Sequence, residues 1–342
     1  MSLIEKLIPN FLLEYKKNID RERISNQKNI KQLVTNKSKG FIASDGLEGR
    51  HIALWHSHGW YYNHDSKRWT WQRARLFTAV EDLGPFVFTV PYLIPMLENA
   101  GANVFVPRER DIQTEEIVID NNDSNGGKYI ETGMWKDVDS TGFAIGTPPY
   151  ANNLNPFLQG SYRIIKASTN ENGSVSYIPN FNKSGEYAVY ISYKHSKENI
   201  SNAKYKVFHL GGVTEFSVNQ KIGGETWIYL GTFKFVKGEN KNIGQVVLLN
   251  ESSENGFVTT DAVRFGGGMG IVERDGTTSE RPKFVEGARY YLQYAGMPDT
   301  LVYDLNNNIK DYNDDYQSRG EWVNYLVGAP FGPNKQREAE GL

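Results

Sequence analysis

Apolar positions recur along this chain with different periods, and the pattern changes near residues 40, 116 and 270. At the start, Leu3, Ile4, Leu7, Ile8, Phe11, Leu12 and Tyr15 are spaced by three and four, an amphipathic helical stripe. A polar, basic stretch from Arg21 to Lys39 follows, so residues 1–40 read as a helical segment packed on the next domain. From 41 to 115 strand and helix patterns alternate. An apolar strand over His51–Trp55 runs into a His-Gly turn, and a helix is predicted over Trp69–Leu83 with Leu76, Val80 and Leu83 on one face. A second helix covers Val90–Ala100, with Pro91 in its first turn and Gly101 at its end, and a strand covers Asn103–Pro107. Strand, helix and strand with a short link make a parallel βαβ unit.

Between about 116 and 266 the period becomes two. Tyr187, Val189, Ile191 and Tyr193 alternate with smaller or polar neighbours, as do Trp227, Tyr229, Phe233 and Phe235. Further strands are expected over Ala203–Leu210, Gly244–Asn250 and Phe257–Phe265, with turns rich in Gly, Asn, Lys and Ser between them. Many short alternating strands with no helix among them indicate an antiparallel β-sandwich. After Phe265-Gly-Gly-Gly-Met-Gly270, a plain exit linker, helices are predicted over Arg281–Ala295 and Asp314–Leu326. The expected fold class is α/β plus all-β: an α/β domain over 41–115, a sandwich inserted at 116–266, and a helical continuation of the α/β domain over 271–342.

Composition narrows the partners. At 342 residues the chain has room for two cores, and 39% hydrophobic content, 23% charged content and a net charge of −2 give no bias toward nucleic acid. It has no cysteine, which excludes disulfides, thiolate metal sites and thiol nucleophiles. No run of about 18 apolar residues occurs, so no membrane span is expected. The start, Met-Ser-Leu-Ile-Glu-Lys, lacks a basic region followed by an apolar one, so no signal peptide is expected in this chain.

Candidate chemistry gathers around the first strand. His58 closes it at the carboxyl edge, where open α/β sheets hold ligands, and the acidic pair Glu81-Asp82 follows 23 residues later. One His and one carboxylate are two of the three ligands of a His/Glu/His zinc site, with His58 and Glu81 as ligands and His56 in a supporting or substitute position. The competing reading of His58 is a capping residue at a tight turn. Trp60, Tyr61, Tyr62 and Trp69 crowd the same loop, either as core or as a glycan-stacking platform. Asp120, Asn121, Asn122 and Asp123 are rich in oxygen, and their residue types suit an Asx turn more than a calcium loop.

The segment His51–Asp111 resembles the first half of the zinc-dependent N-acetylmuramoyl-L-alanine amidase fold, through Ile52-Ala-Leu-Trp-His-Ser-His58-Gly59, Glu81 and Pro107-Arg108-Glu109-Arg110-Asp111. The resemblance implies zinc-assisted hydrolysis of a peptidoglycan amide. That family's third ligand is a later His and its general base a later Glu, yet no His follows residue 209 here. The α/β domain is therefore expected to be partial, to hold Zn2+ weakly and to be inactive alone, with no catalytic residue assigned.

Residues from about Glu116 to Phe265 resemble the golvesin C-terminal-like domain, a sandwich related to carbohydrate-binding modules. The residues that carry this are Val118-Ile-Asp-Asn-Asn-Asp123, Gly185-Glu-Tyr-Ala-Val-Tyr190, Trp227-Ile-Tyr-Leu-Gly-Thr-Phe233 and Thr260-Asp-Ala-Val-Arg-Phe265. The combination looks like bacterial envelope proteins labelled xanthan lyase. Two functions are implied: a fragment of a cell-envelope or secreted zinc amidase, or a non-catalytic module that binds glycans within a polysaccharide-degrading protein. The expected partner is peptidoglycan or another polysaccharide.

Overall fold

The computed structural model describes residues 32–40 and 46–327. The stripe predicted at residues 3–15 and the end of the expected helical continuation lie outside the described residues.

Strand β1 (Val34–Asn36) leads to β2 (His51–Ala53), β3 (Trp60–Asn63) and β4 (Arg68–Trp71). A helical run follows, made of α1 (Phe86–Phe88), a π segment (Thr89–Leu93) and α2 (Ile94–Asn99), and then β5 (Asn103–Phe105). Strands β2 and β5 are parallel, with Ile52 opposite Val104, as the βαβ pattern predicts. They pack on Ile94 and Ala102 of the crossover. Among the described residues this parallel sheet has two strands, so an amidase-like α/β domain is not shown. The outer side of the helical run is bare: Phe88, Tyr92 and Met96, at spacings of four, are 65–70% exposed.

The helix expected over Trp69–Leu83 is absent, and this is a correction. Residues 68–71 instead pair with 60–63 as an antiparallel hairpin, Trp60 opposite Trp71 and Tyr62 opposite Trp69. Only Glu81–Leu83 makes a single 3-10 turn. Cross-strand aromatic contacts decide the matter: Trp60 and Trp71 meet edge to face at 4.8 Å, and such pairs reward a strand more than a helix.

The sandwich is built from β6 (Ile117–Ile119), β7 (Ser124–Asn125), β8 (Gly127–Thr132), β9 (Lys136–Gly142) and β10 (Gly160–Lys166). It continues with β11 (Ser174–Phe181), β12 (Gly185–Ile191), β13 (Ala203–His209), β14 (Gly212–Val218) and β15 (Ile228–Phe235). Strands β16 (Gly238–Glu239), β17 (Gln245–Leu249), β18 (Phe257–Thr260) and β19 (Val263–Phe265) complete it. A seven-stranded sheet in the order β1-β14-β13-β17-β11-β16, with β8 also on β11, faces a five-stranded sheet β15-β12-β19-β6-β7. A third sheet, β18-β10-β9, closes one side. The alternation read at Tyr187, Val189 and Ile191 points these side chains into the core between sheets, while Ala188 and Tyr190 enter a second core beneath the C-terminal helices. Strand β12 is therefore covered on both faces. Leu33, just before β1 and outside the segment read as sandwich, is 1% exposed in the same core.

Two helices close the described chain, α3 (Ala288–Tyr294) and α4 (Asp311–Val327). The first is shorter than the Arg281–Ala295 expected, because Glu286 and Gly287 are extended. The second starts three residues before the expected Asp314 and buries an acidic face: Asp311, Asp314, Asp315 and Ser318 are each 0% exposed. Arg274 and His64 hold Asp311 at 2.7 and 2.8 Å, and Gln72 holds Asp315 at 2.7 Å, so the carboxylates are paired rather than solvated.

Candidate functional site

The sheet edge marked by His58 is organised by Arg108, which follows β5. Its guanidinium is fully buried and donates to backbone carbonyls of the His-Gly turn and of the segment before α3: Ser57 at 3.1 Å, His58, Phe284 at 2.8 Å and Glu286 at 2.8 Å. Burial draws its pKa down to about 10, against the pull of Asp315 and Asp82. The Arg that the sequence placed after the second strand is thus a brace that ties the His58 turn, 50 residues before it, to a segment 178 residues after it.

His58 itself is partly exposed. Its Nε2 accepts from Arg73 Nη2 at 3.2 Å, and its ring meets Trp55 edge to face at 5.6 Å. Burial and the nearby Arg73 and Arg319 lower its pKa, while Glu81 and Asp315 oppose them. Arg319 lies 3.8 Å over the Trp55 ring and pairs with Asp315. The edge therefore collects one imidazole, the three guanidiniums of Arg73, Arg108 and Arg319, and the field of two carboxylates.

These residues do not fit a zinc ion. The nitrogen that would ligate the metal is engaged by a cation, and among the described residues no group of three or more His, Asp or Glu is placed to hold an ion. His56 does not share the strand face of His58. The strand ends at Ala53, Ser57 takes φ +132°, and His56 turns into an apolar pocket against Phe86 at 5.3 Å. Both its ring nitrogens lack partners, and burial, with Arg108 and Arg110 nearby, lowers its pKa to about 2. Asp82, not Glu81, is the buried acid: it is 0% exposed and accepts the Arg73 backbone N–H at 3.2 Å.

The expected stacking platform also needs correction. Tyr61 and Tyr62 are 8% and 2% exposed, Trp60 is edge-on to Trp71, and Trp69 packs against Tyr62 and Tyr290. Trp69 thus packs on α3, Tyr61 meets Tyr312 of α4 edge to face at 5.5 Å, and the half-buried Trp60 and Trp69 are engaged with protein groups, so of the two readings the packing one fits. Tyr290 Oη accepts the Tyr62 backbone N–H at 2.7 Å, which fixes the hairpin there.

A large concavity lies elsewhere, at the junction of the sandwich with the C-terminal helices. A cavity of about 980 Å³ wraps around β15, the edge strand of the five-stranded sheet. Tyr229, Phe233, Tyr303 and Trp322 supply aromatic walls, with Arg110 and Asn155 as polar groups. Arg110 is held by both oxygens of Glu98, at 2.8 and 3.1 Å, and lies 3.7 Å over the Tyr229 ring. A β-bulge opposite Val189 and Tyr190 shifts the register of β15, so Tyr229 and Phe233 face opposite sides instead of one. Phe233 meets His209 and Phe216 at the open rim between the sheets, whereas Tyr229 meets Tyr190. Gly231 lets the Phe233 ring fold across the strand, since a Cβ there would stand 2.8 Å from it. Strict alternation hid this site; the one hint was the Gly between two aromatics on a strand.

Residues 117–267 match the family model described as the Golvesin C-terminal domain, in line with the resemblance read from the sandwich residues. The match begins past the amidase-like segment and lends that reading no support. Xanthan lyase of Bacillus sp. (strain GL1) is 30% identical over 151 residues, which are 44% of this chain and 14% of that protein. The chain thus spans about a seventh of that relative's length. Among solved structures, Paenibacillus xanthan lyase is 24% identical, with 48% of this chain and 13% of that chain covered and a TM-score of 0.36. An exo-beta-1,3-galactanase from Phanerochaete chrysosporium is 13% identical, with 42% and 30% covered and a TM-score of 0.26.

Proposed function

We propose that this chain is a polysaccharide-binding accessory module of a cell-envelope or secreted protein, and that the junction cavity beside β15 receives the glycan. The observation that carries the reading is the wall of that cavity. It is formed by a strand of the golvesin-like sandwich, which presents Tyr229 and Phe233 to a space large enough for several sugar residues. Sugar rings stack on aromatic faces, and because Arg110 already lies over one face of Tyr229, Phe233 is the ring offered for stacking while Tyr229 and Asn155 line the same space. The name of the Bacillus relative makes xanthan the first polymer to try. Amidase chemistry is not part of this reading, because among the described residues no group of three or more His, Asp or Glu is placed to hold a metal ion.

The test is affinity electrophoresis of the full chain in gels containing xanthan, and in parallel gels with neutral and acidic polysaccharides. The chain should be retarded by at least one polymer. Tyr229→Ala and Phe233→Ala should each weaken retardation roughly tenfold without loss of fold. Unretarded migration with every polymer would reject the reading, and full retardation of both variants would reject the cavity as the site.

A further inference from the structure

The sandwich carries a second, smaller concavity remote from β15. It has a volume of about 210 Å³ and is lined by Asn121 and Asn122 after β6, Tyr129 and Glu131 on β8, Asp137 on β9 and Arg163 on β10. At about 30 Å³ of liquid per water, it has room for one sugar ring and not for a polymer segment.

Its walls are held in place by one another. Arg163 is bidentate to Glu131, at 2.7 and 3.0 Å, and Tyr129 donates to the same carboxylate at 2.6 Å. Asn122 Oδ1 accepts the Ser161 backbone N–H at 2.7 Å, and Ser161 Oγ donates to Asp137 at 2.8 Å. Beneath, the buried Asp120 accepts the Asn122 backbone N–H at 3.2 Å and so fixes the turn. Side chains ordered before a ligand arrives lose little entropy when it binds. The outward face stays open: the Asp137 side chain is 61% exposed.

The charges decide what fits. Glu131 and Asp137 oppose a single guanidinium, an excess of one negative charge within a few ångströms. An anionic sugar is repelled. A neutral ring with adjacent hydroxyls has what the cleft needs, since it donates to Asp137 and accepts from the Asn122 amide and the Arg163 guanidinium. We propose that this cleft is a subsite for one neutral sugar residue, recognised through adjacent hydroxyls and selected against uronates by Asp137. The proposal deepens the polysaccharide reading and rests on it, but at a site separate from the junction cavity.

Calorimetric titration of the full chain with D-mannose, D-glucose, D-galactose and D-glucuronate, in buffer containing EDTA, tests it. At least one neutral hexose should bind, with glucuronate about tenfold weaker or more. Asn122→Ala should weaken the neutral sugar about tenfold. Asp137→Asn should narrow the gap between neutral sugar and glucuronate, an effect that simple damage to the fold does not produce. In the Tyr229→Ala background, Asn122→Ala should still weaken the hexose response about tenfold. Glucuronate binding as tightly as the hexoses, or a response that needs calcium, would overturn the assignment. Retardation by polysaccharide without any hexose response would overturn the subsite and leave the junction cavity standing, whereas absence of both would overturn both.

Discussion

Gly59 and Glu286 meet backbone to backbone: a Cβ at position 59 would stand 2.5 Å from the Glu286 carbonyl carbon. The Gly after His58 is thus required by close approach, and Gly287 N–H donates to the Trp60 carbonyl at 2.9 Å along the same seam. Arg108 binds both sides of it.

Gly59→Ala is expected to separate this seam and to lower stability by about 1–3 kcal/mol. Urea unfolding followed by tryptophan fluorescence reads the effect, since Trp60 and Trp71 sit beside the seam. An unchanged midpoint would mean that the two segments are not packed as described.

Leu33 ties the sandwich to the chain before it. The residue is buried in the core between the sheets, β1 pairs with β14, and the Asn103 side chain bridges Val34 N–H at 3.0 Å and Val34 carbonyl at 3.2 Å. Leu33→Ala should cost about 2–5 kcal/mol by leaving a cavity. The loss should appear in sandwich unfolding, although Leu33 lies outside residues 117–267. A sandwich that melts as before would show that β1 is dispensable.

His64 makes the fold sensitive to pH. Its Nε2 lies 2.8 Å from the buried Asp311, and this hydrogen bond raises the imidazole pKa above its usual 6.5. Arg274 and Arg289 also face Asp311, and Asp275 lies near the ring. Because the folded value is the higher one, the stabilisation is complete below about pH 6.5 and fades as pH rises through the raised value. Thermal melts of the parent should therefore decline across that window, and His64→Gln should lose this part of the slope. Parallel profiles for parent and variant would refute the coupling.

A second titration belongs to the sandwich. Asp261 is buried beside Asp120, and burial pushes its carboxyl up to about 7. It accepts the Phe143 backbone N–H at 3.0 Å and Ser192 Oγ at 3.1 Å. The folded value again exceeds the free one, so stability is full below about pH 4 and declines up to and through 7. Asp120→Asn replaces the neighbouring acid by an amide that donates to Asp261. It should flatten this decline and leave the variant relatively more stable at pH 8 than at pH 5. Equal differences at both pH values would show that Asp120 takes no part in this titration.

Local period made the sandwich, the parallel pair and the C-terminal helices legible. Alternation at Tyr187, Val189 and Ile191 and the spacing along 314–326 depend only on near neighbours, and a strand or helix displays them wherever it sits. The resemblance of residues 116–266 rests on the same local patterns. What the chain could not disclose was which partners each face would meet. The hairpin at Trp60–Trp71 depends on Tyr290, 228 positions from Tyr62, and the buried acidic face of α4 depends on His64, 247 positions from Asp311. His56 and His58 parted because the strand ends at Ala53 and Ser57 turns the backbone between them, and Tyr229 parted from Phe233 because a bulge shifted β15. Period is a property of neighbours in sequence, whereas burial, charge pairing and cavities are properties of neighbours in space, and those exist only once the chain has closed on itself.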